Sequence, residues 1–95
     1  MAMPPSIGFP WFDPGDYSRL RDLFSDGDRL PPSFAAWHGA AQEALRLFRE
    51  QGLPVVQVRI EPDQFRAWCH ARAVSTDYRA RHQFATEVIR QEMAA

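Results

Sequence analysis

The chain has 95 residues, of which 45% are hydrophobic and 24% are charged, and its 11 basic and 12 acidic side chains give a net charge of -1. This length fits one small domain, and the apolar content is too high for a disordered chain. The charge balance excludes a general attraction to nucleic acid or to anionic membranes, so such binding would need a local basic patch.

Cellular context is indicated by what the sequence does not contain. One cysteine cannot form an internal disulfide, so an oxidising compartment is not indicated. The first residues show no signal-peptide pattern, and no apolar run reaches the roughly 18 residues of a membrane span. We therefore expect a cytoplasmic protein that does not enter a membrane.

The start of the chain divides into an arm and a helix. Residues 1–12 place prolines and glycine between aromatic side chains, which predicts an extended aromatic arm preceding a single globular domain at 13–95. Asp13 followed by Pro14 predicts a first helix, with Asp13 as its N-cap.

A second, longer helix is predicted from Ser33 to Gln51. Ser33 is a suitable N-cap, and apolar residues then recur at helical spacing. Gly52 suits the left-handed position after the last turn, and Pro54 prevents the helix from continuing.

One β-strand is clearly predicted after this helix. Its β-branched residues alternate between two faces. The prolines of the arm argue against the arm as its ladder partner, and an unpaired strand leaves backbone groups unsatisfied. We therefore expect the strand to pair with its own copy in a homodimer. The predicted dimer residues are Val55, Val56, Gln57, Val58, Arg59 and Ile60.

Two further helices complete the predicted fold. Glu61, Pro62 and Asp63 start the third, and Ser75 or Thr76 caps the fourth. The predicted fold class is therefore α+β and mostly helical, in the order extended arm, two helices, one strand, two helices.

The last two helices also permit a competing hypothesis. A helix, a short turn and a second capped helix are the parts of a helix-turn-helix, and Arg79, Arg81 and His82 lie near the start of the second helix, where DNA contacts occur. The acidic residues of the same segment leave it with little net positive charge. DNA binding is therefore the alternative function.

Catalytic and metal chemistry find little support in the residue pattern. Cys69 and His70 are adjacent, and neighbouring helix positions point about 100° apart, so the pair is not arranged as nucleophile and base. The histidines and the cysteine show no metal-binding spacing. We predict no catalytic, cofactor or metal site, although residues distant in sequence could still form a pocket.

The segments "GFPWFDPGDYSRLRDLFSDGDRLPPSF", "FRAWCHARA" and "RARHQFATE" resemble short uncharacterised proteins of GC-rich proteobacteria. This resemblance implies no particular activity. The leading hypothesis from the sequence is a small interaction or accessory protein that works as a homo-oligomer, with an unknown protein partner.

Overall fold

The computed structural model describes residues 6–94, with side chains as far as residue 92. The first five residues of the predicted arm, and Ala95 at the end of the predicted domain, lie outside the described residues. The fold is α+β and mostly helical, as predicted. In chain order its elements are β1 (Ile7–Trp11), α1 (Tyr17–Leu23), a 3-10 helix (Gly27–Arg29), α2 (Phe34–Glu50), β2 (Val55–Arg59), α3 (Pro62–Arg72) and α4 (Tyr78–Ala94).

The two strands form a parallel pair within the chain. β1 runs beside β2 in a register that joins Ile7 to Val55 and Trp11 to Arg59. The prediction that the arm would not serve as a ladder partner is therefore wrong. One edge of β2 is satisfied by the arm and not by a second copy of the protein.

The local signals around α2 and α3 are confirmed. The Ala36 N–H donates to Ser33 Oγ at 3.2 Å, so Ser33 caps α2. Gly52 has a φ of +78°, which is the left-handed conformation expected after the last turn. The Glu61 carboxylate accepts from the N–H groups of Asp63 and Gln64 and thereby caps α3.

Two predicted helix starts are wrong by one to three residues. Residues 13–16 form a turn in which the Asp16 N–H donates to the Asp13 C=O at 3.0 Å, and α1 begins only at Tyr17. At α4 the Ala80 N–H donates to Asp77 Oδ1 at 3.0 Å, so Asp77 is the capping side chain. Thr76 is used instead for contacts with a distant turn.

The sheet has a helix on each of its two faces. Successive side chains of a strand point to opposite faces. Gly8 of β1 lies directly against Ala85 of α4, whereas Phe9 and Trp11 contact Phe48 and Trp37 of α2. The sheet is therefore held between α2 and α4.

The main core lies beyond the carboxyl ends of the strands and joins all four helices. Its residues are rich in aromatic rings, and the Phe12 and Trp37 ring centroids are 4.5 Å apart. Its buried members are Phe12, Tyr17, Leu20, Phe24, Trp37, Ala41, Ile60, Phe65, Cys69, Ala80 and Phe84.

Candidate interaction surface

The backbone of each strand presents its hydrogen-bonding groups alternately to the two sides. The Ile7 N–H donates to the Pro54 C=O at 2.8 Å, and the Ile60 N–H donates to the Trp11 C=O at 2.9 Å. In a parallel ladder, every second residue of a strand faces the same neighbour. Ile7 and Trp11 therefore face β2, whereas Pro10 faces away from it.

The outer edge of β1 is consequently blocked. Pro10 has no N–H, and because its nitrogen points away from β2, the β1–β2 ladder loses no hydrogen bond. The same residue removes a donor from the outer edge, which is one way that proteins prevent unwanted strand pairing. The arm can pair with β2 despite this proline because Pro10 is one of the β1 residues that face away from β2.

The outer edge of β2 is open. By the same alternation, Val55, Gln57 and Arg59 direct their backbone groups away from β1. The Val55 N–H donates locally to the Leu53 C=O at 3.0 Å. Among residues 6–94 no other strand joins the sheet at this edge, and no backbone group bonds to Gln57 or Arg59 there. The edge therefore offers donors and acceptors to a further strand.

Several exposed apolar side chains surround the end of the sheet at which both strands begin. Phe48 and Leu53 are each 37% exposed, although Phe48 also contacts Phe9 with 6.2 Å between ring centroids. We call this group the apolar end, and it consists of Ile7, Leu47, Phe48, Leu53 and Val56. Ile7 and Phe48 lie on the α2 face of the sheet and Val56 on the α4 face, so apolar surface is exposed on both sides of this end.

At the other end of β2, Arg59 is held by two carboxylates. Its Nε lies 2.8 Å from Asp13 Oδ2, and its Nη2 lies 2.8 Å from Asp16 Oδ2. The hydrogen bond from Arg59 to Asp16, with the charges of both aspartates, raises the pKa of the guanidinium above its usual value. The turn at 13–16, which the sequence suggested was helical, positions both carboxylates. We call these three residues the Arg59 cluster.

The side chains of the predicted dimer strand follow the expected alternation only in part. Val58 and Ile60 are buried, but Val56, which shares their face and lies nearer the start of the strand, is 41% exposed. Val55 is buried on the opposite face, where Gln57 and Arg59 are exposed.

The residues proposed for DNA contacts are not equally available. Arg81 is only 6% exposed, and its Nη1 and Nη2 donate to the two oxygens of Asp26 at 2.7 and 3.1 Å. Its guanidinium also lies 4.3 Å above the Phe24 ring. Arg79 and His82 are exposed, but desolvation by neighbouring atoms and the charge of Arg81 lower the pKa of His82 and favour its neutral form. The start of α4 therefore offers little positively charged surface for DNA binding, the alternative function.

Cys69 lies in the core, and its side chain is buried with Phe65 and Phe84. It is 2% exposed, and burial raises the pKa of its thiol, which disfavours the reactive thiolate. A cleft of about 640 Å³ opens beside it between α1 and α3, lined by Leu23, Asp63, Arg66, Ala67, Cys69, His70, Val74 and Thr76. No group of three metal-ligating side chains occurs in the described part of the chain.

Comparison with known proteins identifies no relative: no family model, curated protein or solved structure matches the chain. Within residues 6–94, none of the helices is long and apolar enough to span a bilayer.

Proposed function

We propose that the protein is a small cytoplasmic interaction protein that works as a homo-oligomer, with the outer edge of β2 as its binding element. The observation that carries this proposal is the open backbone edge of Val55–Arg59. Exposed strand edges pair readily with other strands, and proteins that do not use them usually block them. Here the block is at Pro10 on β1 and not on β2.

A second copy is the partner that this edge fits most simply. When two copies of this edge meet, the N–H groups of each can bond to the C=O groups of the other. Closed two-fold dimers are also the commonest oligomers. A two-stranded sheet is also close to the minimum, and further strands stabilise it. The apolar end supplies exposed surface beside the edge for the same contact or for an accessory partner.

The proposal can be tested with a substitution confined to the outer edge. In Gln57→Pro, the ring replaces the N–H that points away from β1, so the ladder within the chain keeps its bonds. Gln57→Thr is the matched control, because it shortens the same side chain but keeps the N–H and favours a strand. Sedimentation velocity over micromolar concentrations measures self-association of each protein.

We expect the wild type and Gln57→Thr to dimerise. The dissociation constant of the Gln57→Pro dimer should be at least about tenfold higher, because each copy loses a central hydrogen bond. Circular dichroism should show the same helix content in all three proteins. A wild type that stays monomeric throughout, or a Gln57→Pro protein that dimerises as well as Gln57→Thr, would contradict the proposal.

A further inference from the structure

The direction of strand pairing follows from symmetry, if the β2 edges of two copies meet as the proposed function requires. A two-fold axis parallel to the strands would place each residue beside its own copy, with donors facing donors. A two-fold axis perpendicular to the sheet makes the strands antiparallel, and each N–H then meets a C=O of the partner. A closed dimer through this edge is therefore antiparallel.

The choice of central residue is limited by the few outward groups of β2. A dimer centred on Val56 leaves the backbone of Arg59 beyond the partner strand, and the Val55 N–H is already bonded to Leu53. Centres at Gln57 or Val58 bring more outward groups opposite one another. Hydrogen bonding alone thus leaves two registers.

Charge distinguishes these two registers. The Arg59 cluster joins one guanidinium to the carboxylates of Asp13 and Asp16, so its net charge is negative. Centring on Val58 would place the two copies of Arg59 on diagonal positions, about 7 to 8 Å apart, where like charges repel. Centring on Gln57 places Arg59 opposite Val55 of the other copy and separates the clusters by roughly 14 Å along the strands.

From these arguments we propose that two copies pair antiparallel through β2 around an axis at Gln57, forming a four-stranded sheet in the order β1-β2-β2-β1. The two Gln57 residues exchange backbone hydrogen bonds, and their side-chain amides lie opposite each other on the α2 face. Both outer edges of this sheet are β1 edges, which Pro10 blocks. Assembly through strand pairing therefore stops at two copies.

A scan with single cysteines locates the axis. Cys69→Ala removes the native thiol, and Val56→Cys, Gln57→Cys or Val58→Cys is then introduced singly, which leaves Arg59 unchanged in all three proteins. A cysteine meets its own copy directly only when the axis passes through its position. Directly opposed residues are about 4.5 to 5.5 Å apart at Cα, within the range that a disulfide can bridge. Covalent dimer is measured on non-reducing gels during mild oxidation.

We expect Gln57→Cys to give several-fold more covalent dimer than either neighbour. More covalent dimer from Val56→Cys or Val58→Cys would overturn the register while leaving the homo-oligomer in place. Absence of covalent dimer from all three, in proteins that sediment as dimers, would show that dimerisation does not use the β2 edge. A wild type that sediments as a monomer would overturn both the register and the proposed function.

Discussion

The two faces of the β1–β2 sheet are covered to different extents. On the α4 face, Gly8 approaches Ala85 so closely that an added Cβ would lie 2.9 Å from its backbone, and Val58 and Ile89 are buried. On the α2 face, Trp11 packs against Trp37 at 5.1 Å between ring centroids, but Phe48 at the far end of α2 remains 37% exposed. The α4 face is closely packed where Gly8 and Val58 meet the helix, although Val56 on the same face is 41% exposed, whereas the α2 face is closely packed at the Trp11 end only.

The difference follows from how each helix is attached. The start of α4 is fastened to a distant turn, because Arg81 pairs with Asp26 and Thr76 Oγ1 both accepts from the Ser25 N–H and donates to the Leu23 C=O. The end of α2 instead turns directly into β2. Parallel strands usually have both faces covered, so the uncovered apolar end stands out as surface available to a partner.

The largest expected effect contrasts the two ends of the α2 face. Trp37→Ala removes a buried ring from the aromatic core and should lower the free energy of unfolding by about 3 to 5 kcal/mol. Phe48→Ala, at the apolar end, should cost only about 1 to 2 kcal/mol because part of its ring is already in water. Urea unfolding followed by circular dichroism measures both, and equal costs would show that the α2 face is not open at this end.

The attachment of α4 gives the next largest effect. Asp26→Ala leaves the Arg81 guanidinium buried without its carboxylate, which should cost about 2 to 4 kcal/mol, somewhat less than for a fully buried pair. Asp22→Ala, which removes an exposed carboxylate nearby, is the control and should change stability by no more than about 0.5 kcal/mol. If the two variants unfold at the same urea concentration, the Arg81–Asp26 ion pair does not help to hold α4 in place.

Close packing of the α4 face predicts opposite effects for two glycine substitutions. Gly8→Ala forces a methyl group against Ala85 and should destabilise the protein by about 1 to 3 kcal/mol. Gly39→Ala lies in α2 with open space around the new Cβ, and it should stabilise the protein by about 0.4 to 1 kcal/mol. Thermal unfolding compares them, and a harmless Gly8→Ala would mean that α4 can move away from the sheet.

The smallest effect concerns pH. The hydrogen bonds from Arg81 lower the pKa of Asp26 below its usual value of 3.8. A group whose pKa is lower in the folded state contributes its full stability above the unfolded pKa and loses it as the pH falls through the folded pKa. Below about pH 4, the thermal midpoint of the wild type should therefore fall more steeply than that of Asp26→Asn. Parallel curves for the two proteins would contradict a lowered pKa.

Helix boundaries show how far local sequence determines this fold. Ser33, Gly52 and Glu61 cap or end their helices as predicted, because the groups they satisfy belong to residues a few positions away. The β-branched run of β2 is equally local and was predicted with the correct boundaries to within one residue. The sequence indicated that β2 needs a pairing partner, but it did not indicate which of the two edges of β2 is open.

The tertiary structure decided which residues meet across the chain. β1 contains Gly8 and Pro10, so its composition argues against a strand, yet pairing with β2 and contact with α4 make it one. Each β1 residue faces either toward β2 or away from it, and Pro10 is harmless to the ladder because it faces away. This alternation exists only once the two strands are in register. Arg81 has the composition of a surface residue, but its partner Asp26 lies 55 positions away in the sequence. Capping depends on neighbours along the chain, whereas strand partners and buried ion pairs depend on contacts that only the folded backbone creates.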